Sequence, residues 1–231
     1  MDVRFRDRRD AGRRLAMLLT RYAGRPDVLV LALPRGGVPV GFEVARALGA
    51  PLDVIVVRKL GVPQHEELAM GAIASGGARV LNRDVVRQLA IPAGVIDAVA
   101  AREQVVLAQR ERAYRGDRPP PDVRGRLVIL VDDGMATGAT MRAAVAAVRQ
   151  QGPAGIVVAV PVASPETCAE FQPLVDEVVC YATPEPFHAV GLWYEDFAPT
   201  TDEEVRDLLA QAATGRLEPP SARPPLSESP G

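Results

Sequence analysis

Four short runs, residues 28–33, 52–57, 127–131 and 156–160 in chain order, are apolar, with Asp53 in the second the one polar interruption. A strand with one wet face alternates apolar and polar residues. A run rich in Val, Ile and Leu with no alternation must be covered on both faces, which is the environment of a parallel sheet. The segments between the runs carry helical spacing. Leu15, Leu18, Leu19 and Tyr22 share one face of residues 10–23, residues 38–48 end at Gly49, and residues 139–150 follow the third run. A helix from Pro165 and a strand over 175–181 complete the alternation. Strands alternating with helices predict an α/β fold, a doubly wound, mostly parallel sheet with helices on both faces. Such sheets bind ligands at the carboxyl ends of their strands, where the strand order reverses.

Between the second and third runs the pattern changes. Residues 61–67 read as a loop and 70–80, with Gly76 and Gly77 at the centre, as a small hairpin. Residues 82–109 read as helix with a break at Pro92, and three prolines, Pro119, Pro120 and Pro121, close the excursion. These features predict one domain over 1–213, with a helical insertion at about 82–118 and a hood at about 182–200. The proline- and serine-rich residues 214–231 have little to bury and are expected to be disordered. No run approaches the roughly 18 apolar residues of a membrane helix. The N-terminus lacks the apolar stretch of a secretory signal, so a cytoplasmic location is expected. A net charge of −2 supplies no basic excess for non-specific nucleic-acid binding. Cys168 and Cys180 have no CxxC spacing and only His65 and His188 accompany them, which argues against zinc. The expected compartment argues against a disulfide as well.

The stretch with chemical content follows the third run: Asp132, Asp133, Gly134, Met135, Ala136, Thr137, Gly138, Ala139, Thr140. A buried strand stops at two carboxylates, a turn of small residues follows, and a helix begins. Small residues admit close approach by a ligand, and N–H groups converging at a helix start attract an anion. Thr137 and Thr140 add hydroxyl donors to the same phosphate, while carboxylates accept from vicinal hydroxyls or from waters on Mg²⁺. One site would hold a sugar and its terminal phosphate. A P-loop is excluded because no lysine follows Gly138, and GxGxxG is absent. Asp-Gly turns and threonine caps are common separately. They leave the acid pair, both threonines and the strand context together unexplained. A second feature is compositional: of 27 basic residues one alone, Lys59, is lysine, and it ends the second run. A compact ammonium at a single place suits a point contact with an anion.

The stretch 128–140 closely resembles the signature of type I phosphoribosyltransferases: four apolar residues, two acids, two mostly apolar residues and a small-residue phosphate loop. The resemblance extends over roughly residues 1–210. It implies binding of 5-phospho-α-D-ribosyl 1-pyrophosphate (PRPP) with Mg²⁺ and transfer of the ribosyl group to a nitrogen nucleophile such as a nucleobase, with release of pyrophosphate. Asp132 and Asp133 would hold the ribose hydroxyls and, through water, the metal, and residues 136–140 the 5′-phosphate. Pro34, Arg35, Gly36 and Gly37 look like the family's pyrophosphate loop, and Lys59 matches a basic residue sent toward the pyrophosphate. Residues 61–70, with Glu67 as a candidate acid, resemble the mobile loop whose closure excludes water. Residues 187–197 resemble the hood of hypoxanthine-guanine phosphoribosyltransferases, with Phe187 as the ring stacked on the acceptor and Asp196 as the nearby acid. The family also implies a homodimer.

Two departures leave the acceptor open. The hypoxanthine-guanine enzymes carry an aspartate in the phosphate loop where this chain has Ala136, and the helical insertion exceeds the compact family core. A regulatory protein that senses PRPP or a nucleotide without turnover would use the same residues. A receiver-type phosphoacceptor places its acid pair earlier in the chain and ranks lower.

Overall fold

The computed structural model describes residues 4–214. The expectation for the tail therefore falls almost wholly outside the described residues. Five strands form a parallel sheet: β1 (Val28–Ala32), β2 (Leu52–Val54), β6 (Leu127–Val131), β7 (Gly155–Val162) and β8 (Glu177–Ala182), in the order β2-β1-β6-β7-β8. Alternate residues of each strand face opposite layers. Val30, Ala32, Ile129 and Val131 join the core beneath α1 (Arg8–Leu18), α2 (Gly37–Leu48) and α7 (Asp202–Ala213). Leu29, Leu31, Val128 and Leu130 join the core beneath α5 (Ala139–Gln150) and α6 (Pro165–Phe171). This two-sided burial is why the runs lack alternation, and it bears out the doubly wound expectation.

Helix starts follow local chemistry. The side chains of Asp7, Ser164 and Thr201 accept from backbone N–H groups three residues on, at Asp10, Thr167 and Glu204, capping α1, α6 and α7. Asp202, Glu203 and Glu204 crowd the first turn of α7, where negative charge is favoured by the helix dipole.

The chain departs from the expected pattern after β2. The run over 52–57 is not one strand. Ile55 N still donates to Ala32 O, but Val56 N donates to Ser75 Oγ, and Ser75 N donates to Val56 O. The backbone thus leaves the parallel sheet and enters a separate antiparallel arm of β3 (Val57–Val62), β4 (His65–Ala74) and β5 (Ala78–Leu81). Lys59 therefore sits inside β3, opposite Ala72, rather than at the end of a central strand. The expected loop over 61–67 is likewise mostly ladder, its turn reduced to Pro63 and Gln64. Two helices follow, α3 (Arg83–Gln88) and α4 (Ala93–Arg115), parted at Pro92 as expected. α4 packs on β3 and α7, and Glu103 accepts from Arg58 at 2.6 and 3.0 Å.

The end of α4 is tied to the sheet by a buried cation. Arg115, whose side chain is 4 % exposed, donates to Asp53 Oδ1 at 2.7 Å, to Glu111 at 3.0 Å and to Val54 O. Arg115→Ala leaves Asp53 buried beside no cation and is expected to cost about 3–5 kcal/mol, read as a lower midpoint in urea unfolding.

The cysteine expectation is overturned. Cys168 of α6 and Cys180 of β8 form a disulfide, with Cα atoms 7.0 Å apart. α6 returns across the sheet onto β8, an approach that the 12-residue spacing alone does not reveal.

Candidate active site

The strand order reverses between β1 and β6, and the chain segments leaving those two strands meet at their carboxyl ends. From β6 come Asp132 and Asp133. From β1 comes the turn Pro34 to Gly37, whose Pro34-Arg35 peptide is cis. The two segments touch. A methyl group placed on Gly36 would lie 2.1 Å from Asp133 Oδ2, and one on Gly37 would lie 2.8 Å from Val131 O and 2.9 Å from Asp132 Cα. The glycines expected to face pyrophosphate are thus pressed against the acid pair.

Asp132 is half-buried and lines an open cavity of about 230 Å³ together with Gly134, Thr137, Gly138, Thr140 and Val190. Its Oδ1 accepts from Asp133 N at 2.9 Å. The loop beyond is pinned to β7 by Met135 N donating to Val162 O at 2.9 Å, and Ala136 O accepts from Thr167 Oγ1 at 2.6 Å. Gly138 has φ +66°, a left-handed conformation that also brings its Cα against the Phe171 ring. From there α5 begins at Ala139, and Ala136, Thr137, Ala139 and Thr140 stay exposed at its N-terminal end. A helix start with free N–H groups, two hydroxyls and room beside a carboxylate can receive a phosphate.

Burial pushes the Asp132 carboxyl well above the usual carboxylate range, and the neighbouring Asp133 charge adds to the rise. Burial also raises Asp133, opposed by the charge of Arg8. Arg8 carries no signal in the sequence. Its Nε donates to Asp133 Oδ2 at 2.9 Å, its Nη1 donates to Ala198 O at 2.7 Å, and its guanidinium lies 3.9 Å from the Phe197 ring centroid. Tyr194 is a second site residue that the sequence does not mark. Its hydroxyl donates to Asp133 O at 2.6 Å, and burial pushes that phenol up from its ordinary value.

Other candidates fall at varying distances from this centre. Lys59 is exposed and lines a groove of about 500 Å³ with Thr137, Ala139, Thr140 and Arg142, so it adjoins the phosphate loop. Arg35 turns toward α7, with Nη1 3.8 Å from Asp202 Oδ1. Tyr114 donates to the same carboxylate at 2.9 Å, and burial with that bond pushes its phenol up to about 12. Glu67 is exposed on β4 of the arm. Phe187 packs into the hood cluster around Phe5, Val162 and Tyr194. Asp196 lines a different cavity, about 220 Å³, with Asp7, Arg8 and Glu204. In the hood it is Val190 that faces the phosphate-loop cavity.

Comparison with known proteins gives the family. The family model for the phosphoribosyl transferase domain matches residues 64–182. A protein of Mycobacterium tuberculosis H37Rv, assigned provisionally to the phosphoribosyl transferases, is 50% identical over 208 residues, 90% of this chain and 47% of its own length. The chain thus spans about half the length of this curated relative. The bifunctional protein PyrR of Chloroflexus aurantiacus is 33% identical over 129 residues, 54% of this chain and 65% of its own. The crystal structure of TT1426 from Thermus thermophilus superposes with a TM-score of 0.80 at 48% identity, covering 90% of this chain and 98% of that one. With the fold, the acid pair and the small-residue loop in place, the chain belongs to the phosphoribosyl transferase domain family.

Proposed function

We propose that the protein binds PRPP with Mg²⁺ and transfers its 5-phosphoribosyl group to a nitrogen nucleophile, a nucleobase by family resemblance, releasing pyrophosphate. The observation that carries this reading is the shared cavity of Asp132 and the loop from Gly134 to Thr140. A carboxylate only accepts hydrogen bonds, so Asp132 and Asp133 select a ligand with hydroxyl donors, while the loop selects an anion at the far end. The 5′-phosphate is taken by the N–H groups of 136–140 and the hydroxyls of Thr137 and Thr140. Two adjacent carboxylates are hard oxygen donors and fit a Mg²⁺ held through water. When bound, that ion would neutralise charge on the departing pyrophosphate.

In the reaction the bond from ribose C1 to the pyrophosphate oxygen breaks, its electron pair leaves with pyrophosphate, and the acceptor nitrogen forms the new bond and sheds a proton. The protein's share is positioning and charge stabilisation, with no covalent intermediate. The turn from Pro34 to Gly37 takes the pyrophosphate, with Gly36 and Gly37 letting it lie close against the acid pair, and Lys59 approaches from the arm. Arg35 acts at the same end, released from Asp202 when the more highly charged ligand arrives. Glu67 at the arm is the functional acid of the reading, and Phe187 and Asp196 in the hood complete it on the acceptor side. A cytoplasmic location and a homodimer belong to it as well.

The test is Mg²⁺-dependent pyrophosphate release from PRPP across a panel of purines, pyrimidines and small amines. Turnover with one class names the acceptor. PRPP binding without turnover on any of them indicates the sensing role, and no binding removes the reading. Lys59→Ala is expected to lower kcat/KM by about 10- to 100-fold, the size of one lost charge-assisted hydrogen bond. Steady-state kinetics with the acceptor found by the panel would measure it.

A further inference from the structure

Arg8 reaches the acid pair from the opposite end of the chain, 125 residues away in sequence. Three of its surroundings are fixed at once: the Asp133 carboxylate, the Ala198 carbonyl and the Phe197 ring face. Its side chain is 11 % exposed and that of Asp133 16 %. The helix that carries it is not free to move, since Ala11, Leu15 and Ala16 are buried on the sheet and Asp7 caps the first turn. Beside the same contact stands Gly36: a methyl group on it would lie 2.1 Å from Asp133 Oδ2 and 3.2 Å from Arg8 Nε. Asp133 Oδ2 is thus held by a guanidinium and hemmed in at its flank by a backbone, which narrows the positions the carboxylate can take.

We propose that Arg8 is a positioning residue, which orients Asp133 to accept from a ribose hydroxyl and couples that carboxylate to the hood through Phe197 and Ala198. The inference rests on the phosphoribosyl reading of the site. A guanidinium suits the task because it is planar and forked. Nε and Nη1 donate in different directions while the face stacks on an aromatic ring, and an ammonium cannot make these contacts together. Arg8 lines the cavity beside Asp196 rather than the phosphate-loop cavity, so it acts through Asp133 rather than on the ligand. A carboxylate freed from this clamp would sample several rotamers, and the ligand would have to order it on binding.

The experiment is calorimetric titration of the full chain with PRPP and Mg²⁺, using wild type, Arg8→Gln, Asp133→Ala and the double variant. Each single change is expected to weaken PRPP binding by about 10- to 30-fold, the size of one lost charge-assisted hydrogen bond. The double variant should bind no more than about threefold more weakly than Asp133→Ala alone, because Arg8 has lost the group it positions. A general loosening of the fold would cost the same factor in both backgrounds. Should Arg8→Gln fail to fold, Arg8→Lys keeps the charge and carries the same comparison, with an expected loss of about five- to tenfold. Additive losses, or Arg8 variants binding within twofold of wild type, would overturn the role of Arg8 while leaving the phosphoribosyl reading intact. A wild-type chain that does not bind PRPP would overturn both.

Discussion

Replacing Asp132 and Asp133 together by asparagine is expected to abolish PRPP binding, by at least 100-fold in affinity, and to raise the melting temperature at neutral pH. The first effect follows from chemistry. An amide presents one acceptor where a carboxylate presents two, and it brings no negative charge to a metal or a hydroxyl. The second follows from where the pair lies. Burial raises both carboxyls in the folded chain above their unfolded value of 3.8. A group raised on folding contributes stability that is fully present below the unfolded value and lost as pH rises through the folded one. At neutral pH the ionised pair therefore works against the fold, and its neutral isostere does not. Wild type and double variant should melt together below about pH 4 and diverge above it, with the variant the more stable. Asparagine keeps the local bonds, since its Oδ1 can still accept from the residue-133 N–H and from Arg8. PRPP should bind wild type more tightly as pH rises through the raised folded values, since the ligand needs the ionised acceptors. Calorimetry and thermal melts between pH 4 and 8 measure both effects. Undiminished affinity in the double variant would remove the acid pair from sugar recognition.

The acid pair and its loop were legible because strand, acids, turn and helix are contiguous. Each signal, from the apolar run to the small residues before α5, lies within a few residues of the next. The arm was only half legible. Residues 52–57 satisfy one criterion, apolarity, in two different sheets, and burial of Ile55 and Val56 at the crossover hides the change of partner. Residues 61–67 have the composition of a loop, yet antiparallel pairing with β4 satisfies their backbone and leaves only a two-residue turn. Arg8 and Tyr194 were not legible at all. Their bonds to Asp133 span 125 and 61 residues, and nothing local separates Arg8 from the many arginines around it. The disulfide belongs with them, as a contact made by how a helix lies on the sheet. Asp196 shows the converse. A family resemblance put it beside the acceptor, and its side chain lines the cavity beside Arg8 rather than the one beside the phosphate loop.

Gly36→Ala and Gly37→Ala should separate binding from folding, although the two residues are neighbours. Gly36 has φ −59° and ψ −33°, and Gly37 opens α2, so neither position demands glycine for its backbone conformation. Both are glycine for want of space. At Gly36 the obstacle is a side chain: the added methyl would lie 2.1 Å from Asp133 Oδ2 and 2.7 Å from Cγ. The carboxylate must rotate, and Arg8, whose Nε is 3.2 Å from the methyl position, limits where it can go. The expected result is a PRPP affinity lower by at least tenfold with a melting temperature changed by only a few degrees, since the displaced group is a half-buried acid that already weakens the fold. At Gly37 the obstacle is main chain, Val131 O at 2.8 Å and Asp132 Cα at 2.9 Å. The end of β6 cannot yield without breaking its pairing with β1, where Leu33 N donates to Val131 O at 2.9 Å. There the substitution should cost about 1–3 kcal/mol of stability, an overpacking penalty, along with binding. Urea unfolding and PRPP titration on the two variants check the contrast. Equal destabilisation by both would mean that Asp133 is as immovable as the strand, whereas unchanged binding in Gly36→Ala would mean that its carboxylate has no part in holding the sugar.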